Sequence, residues 1–174
     1  MKKKFFYALL FIGVLVSCQS ATAQPKPSIS TQYTNYKIKE MITSFKMANS
    51  QDILTPPAPI ATKFNIDFPQ ARDIEWEAAV GVYEVECEIG YKDYKCYYAA
   101  DGDLLMYTFN IKELDIPAVV KNATIAKYPD YDFDEIKEIH RGTEVLFDIE
   151  LKHHNIEVEM LIHENGTILN EKFD

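Results

Sequence analysis

A chain of 174 residues with a formal charge of −9 accommodates one domain, or two small halves fused on one core. Its acidic balance excludes nucleic acid as a partner and points to basic proteins, peptides or cations wherever charge steers binding. Only three cysteines are present, too few for a disulfide-built scaffold.

The first residues read as an export signal and not as part of the fold. Lys2-Lys3-Lys4 forms a basic n-region, and residues 5–16 form an apolar run too short to span a bilayer as a mature helix. Two cleavage readings stand. Leu15-Val16-Ser17-Cys18 resembles a lipobox, which would leave Cys18 as a lipidated first residue and tether the domain to a membrane. Ala21-Thr22-Ala23 before Gln24 reads as an ordinary signal-peptidase site, which would leave the protein free in the periplasm or secreted. Loss of the three signal lysines takes the formal charge from −9 to −12. The leader is residues 1–23; no other segment has the length and apolarity to cross a bilayer as a helix.

Residues 24–55 read as a spacer. Pro25, Pro27, Ser28 and Ser30 open it, and Thr55-Pro56-Pro57 closes it. Inside, Ile38, Met41, Ile42 and Phe45 recur at helical spacing over 36–48, predicting one amphipathic helix that either docks on the core or stays a tether.

Residues 56–174 then carry the same pattern twice, in copies at 58–110 and 111–174. Ile60, Phe64 and Phe68 share a helical face that stops at Phe68-Pro69. Strands follow at 73–78, 81–89, 94–100 and, after an Asp101-Gly102 turn, 104–109. The second copy opens at Ile116-Pro117, with Val119, Val120, Ala123 and Ala126 in a helix that stops at Tyr128-Pro129. Its strands read as 135–140, 143–152, 156–163 and, after an Asn165-Gly166 turn, 167–173. Tyr83-Glu84-Val85-Glu86-Cys87 and Phe147-Asp148-Ile149-Glu150-Leu151 stand sixty-four positions apart in the two copies. Such duplication predicts an α+β tandem repeat: helix plus four-stranded antiparallel sheet, twice, with the helices on one face of a joined eight-stranded sheet. Apolar residues alternate with acidic ones along the central strands, giving each one buried and one wet face.

Cys87 and Cys96 are a disulfide candidate in an exported protein. A hairpin turning around Gly90-Tyr91-Lys92-Asp93 would set them directly opposite, roughly 4.5–5.5 Å apart at Cα and inside the bridging range. Two buried thiols, matching Leu151 and Met160 of the second copy, are the alternative.

Chemistry-bearing motifs are scarce. An EF-hand over Asp130-Tyr131-Asp132-Phe133-Asp134 fails, because its sixth position is Glu135 instead of Gly and its twelfth is Arg141 instead of Glu. His153-His154 lies in a predicted turn and lacks ligand spacing; His140 and His163 lie near strand ends. No nucleophile elbow, zinc-protease helix or phosphate loop is present. The expectation is therefore a non-enzymatic protein without cofactor, metal site or catalytic residue.

The order of helix, Phe68-Pro-Gln-Ala-Arg-Asp-Ile-Glu-Trp76, Tyr83-x-Val-x-Cys87, Asp101-Gly-Asp-Leu-Leu105 and an Ile-Pro helix resembles the exported PepSY-like proteins described as beta-lactamase-inhibitor-protein-like. The resemblance spans about residues 58–174. It implies tandem halves and binding through the concave outer face of the joined sheet. It also resembles that inhibitor in carrying a hairpin cysteine pair, here in the first copy alone. On this reading Glu84, Glu86, Tyr97, Asp148, Glu150, Glu157, Glu159 and Leu161 share an open acidic face that receives Lys or Arg side chains of an unidentified basic protein or peptide, in an inhibitor or chaperone-like role. The alternative function is a small-molecule or cation sensor using the cleft between the copies.

Overall fold

In a computed structural model that describes residues 26–173, the strands form one nine-stranded antiparallel sheet in sequential order. The leader and Cys18 lie outside the described residues. Helix α1 (Asn35–Met47) and the two-residue strand β1 (Gln51–Asp52) precede α2 (Ala58–Asp67). Four strands follow: β2 (Arg72–Ala79), β3 (Val82–Ile89), β4 (Lys92–Ala99) and β5 (Leu104–Asn110). A single 3-10 turn at Glu113–Asp115 leads to α3 (Ala118–Lys127). The chain ends in β6 (Asp132–Arg141), β7 (Glu144–His153), β8 (Ile156–His163) and β9 (Ile168–Phe173).

Helices α2 and α3 lie on one face, each starting just after a proline and ending at an aromatic residue whose following proline disfavours further helix. Under α2, Phe64 packs edge-on against Trp76 and Tyr98, with Phe68 beside it. Under α3, Val120 meets Phe147, Ile149 and Met160. The α3 face is rotated from the sequence expectation: Val120 and Thr124 are buried, whereas Val119 and Ala126 are exposed. Thr124 is tolerated inside because its Oγ1 donates to the Val120 carbonyl at 3.0 Å. Phe109 packs against both cores, and β5 pairs with β6 from Met106↔Arg141 to Asn110↔Lys137, so the halves share one continuous sheet.

One expectation about the sheet is corrected: it has nine strands instead of eight, because Gln51 and Asp52 of the spacer pair with Ala78 and Glu77. The helices of the two halves share one face, and of the two alternatives for the spacer helix α1 the docked one is found, on the opposite side of the sheet. Ile38, Ile42 and Phe45, spaced to form one ridge, pack against Val82, Tyr97, Ala99, Leu105 and Met106. The helix is started by Thr34, whose hydroxyl accepts from the Lys37 amide at 3.2 Å. Asn35 then fastens it to the β6–β7 turn, accepting from the Thr143 amide at 3.1 Å. Gly142 makes that approach feasible. It has φ +55°, and a Cβ there would lie 2.1 Å from Asn35 Oδ1. Further back, Ser30 bonds Asp103, and its amide donates to the Leu104 carbonyl at 2.9 Å. The spacer is thus a strap that crosses from one face of the sheet to the other.

The cysteine register is corrected as well. The β3–β4 hairpin turns on Gly90-Tyr91 alone, pairing Ile89 with Lys92, so Cys87 lies opposite Tyr94 and Cys96 opposite Val85. Diagonal neighbours sit roughly 7–8 Å apart, beyond the usual disulfide span. Both are free buried thiols in mutual contact, and burial pushes the Cys96 thiol up. Alkylation without reductant followed by peptide mapping should find both residues as free thiols; a recovered Cys87–Cys96 linkage would overturn this register. Phe45→Ala should cost about 3–5 kcal/mol in urea unfolding, because Phe45 is the largest side chain that α1 inserts.

Candidate functional site

All eight residues expected on the binding face do lie on the side of the sheet opposite α2 and α3, but not in the expected arrangement. Tyr97 pairs with Glu84 and not Glu86, whose partner is Lys95. The error is the same two-residue slip that moved the cysteines, and an even slip leaves each side chain on its face. Asp148 lies opposite Leu161, Glu150 opposite Glu159, and Glu157 opposite Lys152.

Exposure divides this face. Tyr97 is only 1% exposed, with its ring edge-on to Phe45 at 5.8 Å, and is therefore part of a core and not of a contact surface. Burial and the facing Glu84 carboxylate raise its phenol far above the usual tyrosine range. Glu84 is itself buried, with Lys95 Nζ at 3.5 Å; the same lysine holds Glu86 at 2.5 Å. On the second half, lysines contact most of the predicted acids. Lys152 reaches Asp134, Glu150 and Glu157 at 2.5, 3.3 and 3.4 Å, and Lys172 reaches Glu159 at 3.9 Å. Glu150, Glu157 and Glu159 thus belong to a mixed-charge surface and not a bare acidic one.

Uncompensated negative charge gathers instead at the β1–β3 edge. There Glu75 lies directly opposite Glu86, and Glu77 directly opposite Glu84. Like charges placed this way destabilise an antiparallel pair. Together with Asp52 they line a groove of about 480 Å³ whose apolar wall includes Leu54, Ile74 and Trp76. Among the described residues the only cation bonded to this set is Lys95; Ser50 Oγ donates to Glu77 at 2.6 Å. Leu54 is fully exposed, which leaves an apolar side chain beside five carboxylates. Sequence reasoning missed Glu75, Glu77 and Asp52. The alternation Glu75-Trp76-Glu77 and the Val80-Gly81 turn carried the signal, because pairing outward from that turn brings the four glutamates together.

Asp148 stands apart from the paired acids. Lys137 lies directly across from it on β6 but turns to Glu135 at 2.7 Å, so Asp148 closes no contact ion pair among the described residues. Burial, then the charge of Glu159, raises its carboxyl above the ordinary range, with Lys137 and Lys46 opposing.

The histidines take structural places. His140 is buried on the α2/α3 face, stacked on Tyr107 at 4.4 Å and bonded to Glu138 at 2.6 Å. His153 ends β7 against Tyr131, and His163 Nδ1 accepts from the Asn165 amide. Among the described residues no group of three or more His, Cys, Asp or Glu side chains is placed to hold a metal.

No protein-family model and no curated protein matches the chain. Solved structures do. The chain is similar to a BLIP-like protein of Bacteroides fragilis, with 21% identity over 70% of this chain and 88% of that one, at a TM-score of 0.61. A DUF2874 family protein of Bacteroides ovatus gives 18% identity over 68% and 88%, also at 0.61. A Bacteroides eggerthii protein, provisionally described as periplasmic, gives 17% identity over 68% and 89%, at 0.62. At these identities the likeness establishes the fold: a BLIP-like arrangement of one antiparallel sheet with flanking helices.

Folding raises the Asp148 carboxyl, so the charged form is disfavoured in the folded state relative to the unfolded one, and stability falls as pH rises through the raised value. Asp148→Asn should therefore raise the melting temperature at pH 7. The gain should fade as pH drops below about 4 and be gone near about 3, where the native aspartic acid is mostly protonated folded or unfolded. A gain that persists unchanged at about pH 3 would mean packing, not ionisation, is responsible.

Proposed function

We propose that this is an exported, non-enzymatic binding protein of the PepSY-like, beta-lactamase-inhibitor-like kind, which receives Lys or Arg side chains of a protein or peptide in the acidic groove at the β1–β3 edge. The observation that carries this reading is the pair of opposed carboxylates, Glu75–Glu86 and Glu77–Glu84, served by one lysine. A fold that keeps two like-charge cross-strand pairs side by side carries a standing cost, which an incoming cation would relieve. Arginine suits the site because its planar fork can bond two carboxylates at once. Exposed Leu54 and Ile74 supply an apolar contact next to the charge, the combination found where interface anchors sit.

The binding face, expected across both halves, is accordingly narrowed to the first, since lysines contact most of the acids of the second. Glu84 and Glu86 remain in it; Tyr97 supports it from beneath α1. Glu150, Glu157, Glu159 and Leu161 form its periphery. The two units, α2 with β2–β5 and α3 with β6–β9, are read as a tandem repeat, with β1 and α1 added by the spacer. Export rests on the leader and on the periplasmic description of the Bacteroides eggerthii neighbour. A lipid anchor at Cys18 or cleavage after Ala23 decides whether the domain is tethered or free. An inhibitor or chaperone-like role toward an envelope enzyme is the expected use of such a face.

Binding should be measured against an array of Lys- and Arg-containing peptides at low and moderate salt. Native protein should select basic peptides and lose affinity with salt. Glu75→Lys with Glu77→Lys should weaken binding by about tenfold or more, whereas Glu157→Lys with Glu159→Lys should change it by less than about twofold. Indifference to peptide charge, or loss only with the second pair, would sink the proposal.

A further inference from the structure

A second groove, of about 430 Å³, lies at the midline of the same face, where α1 ends and the two halves of the sheet join. Two rows of paired residues form its floor. One runs Lys95, Thr108, Ile139 across β4, β5 and β6; the other runs Asn110, Lys137, Asp148 across β5, β6 and β7. Lys46, in the last turn of α1, supplies a wall.

Two charged groups here lack the contact partners that their neighbours have. Lys95, on the floor, spends its ammonium on Glu86 and Glu84. Asp148 closes no contact pair among the described residues because Lys137 is turned to Glu135. Lys46 acts on Asp148 only through space. A carboxylate and an ammonium without contact partners therefore border one concavity of ligand size. Elsewhere on this face, lysines close contact pairs within 4 Å.

We propose that the midline groove is a binding site for a small zwitterion, an α-amino acid or short peptide, whose ammonium meets Asp148 and whose carboxylate meets Lys46. The charges select this class. Lys95 and Lys137 also line the groove but are bonded to Glu84, Glu86 and Glu135, which leaves Asp148 and Lys46 as the charges to satisfy. A simple cation would satisfy Asp148 and leave Lys46 facing another positive charge. A simple anion would meet Lys46 and leave Asp148 facing another negative one. Only a ligand with both signs closes both gaps, and desolvation in a concave site makes each closure count. The site gives the small-molecule alternative raised by the sequence a definite place, apart from the basic-peptide groove except for Glu84 and Glu86, which border both.

Isothermal titration of the purified protein with glycine, alanine, phenylalanine and their dipeptides tests it. At least one probe should bind saturably with a Kd below about 1 mM. Its N-acetyl and methyl-ester forms, each lacking one charge, should bind about tenfold more weakly or worse. Lys46→Gln and Asp148→Asn should each weaken the parent probe comparably. Asp148→Asn is expected to melt higher at neutral pH, so its loss of binding cannot be unfolding. Tighter binding of dipeptides than of amino acids would assign the site to peptide ends, and the reverse order to free amino acids. Absence of saturable binding, equal binding of the single-charge forms, or native affinity in Lys46→Gln would overturn the proposal. The two readings fail separately: absence of zwitterion binding with basic-peptide selection intact overturns this site alone, and the reverse outcome overturns the basic-peptide reading alone.

Discussion

Everything distinctive about this molecule depends on the docking of α1 against the second face of the sheet. Strands β3 to β5 carry apolar residues on both sides, and the side away from α2 presents Val82, Tyr97, Ala99, Leu105 and Met106. Left bare, that patch would be a large exposed apolar surface. Ile38, Ile42 and Phe45 cover it, each contributing roughly 1.5–3 kcal/mol through burial. Because α1 occupies only part of the face, its C-terminal end becomes the wall of the midline groove. Its exit into β1 then shapes the edge groove. One hydrophobic contact thus fixes where both concavities lie.

The electrostatics follow from that coverage. On the uncovered second half, Lys152 and Lys172 between them contact Asp134, Glu150, Glu157 and Glu159. At the β1–β3 edge Lys95 alone contacts the acids, reaching Glu84 and Glu86, and among the described residues Glu75, Glu77 and Asp52 close no ion pair. At the midline Asp148 sits among lysines yet closes no contact pair. Proteins tolerate such arrangements where binding uses them, at some cost to stability. The candidate sites fall where carboxylates lack a contacting lysine, at the edge and at the midline.

Errors in the sequence reading have identifiable physical sources. A hairpin assumed to turn on four residues turns on two, Gly90-Tyr91, so every pair in β3–β4 moved by two positions. That slip dissolved the geometric case for a Cys87–Cys96 bridge and exchanged Tyr97 for Lys95 opposite Glu86. It left the faces intact, since side-chain direction repeats every second residue. The α3 face was misjudged because Val119 and Ala126 looked as apolar as Val120, while Thr124 hid its polarity by bonding within the helix. Glu75 and Glu77 went unnoticed because their meaning arises only when β2 is laid beside β3.

By itself the sequence determined the order of helices and strands after the spacer and the division of each strand into an apolar and a polar face. These follow from local periodicity and turn chemistry, which need no knowledge of distant contacts. The spacer helix was legible too, through Ile38, Ile42 and Phe45. Only the tertiary structure decided that this helix crosses to the second face, buries Tyr97 and leaves particular carboxylates uncompensated. Those outcomes depend on which residues meet across strands and on which part of a face a remote segment covers. Neither is encoded in the spacing of one segment, because both arise from contacts between segments far apart in the chain.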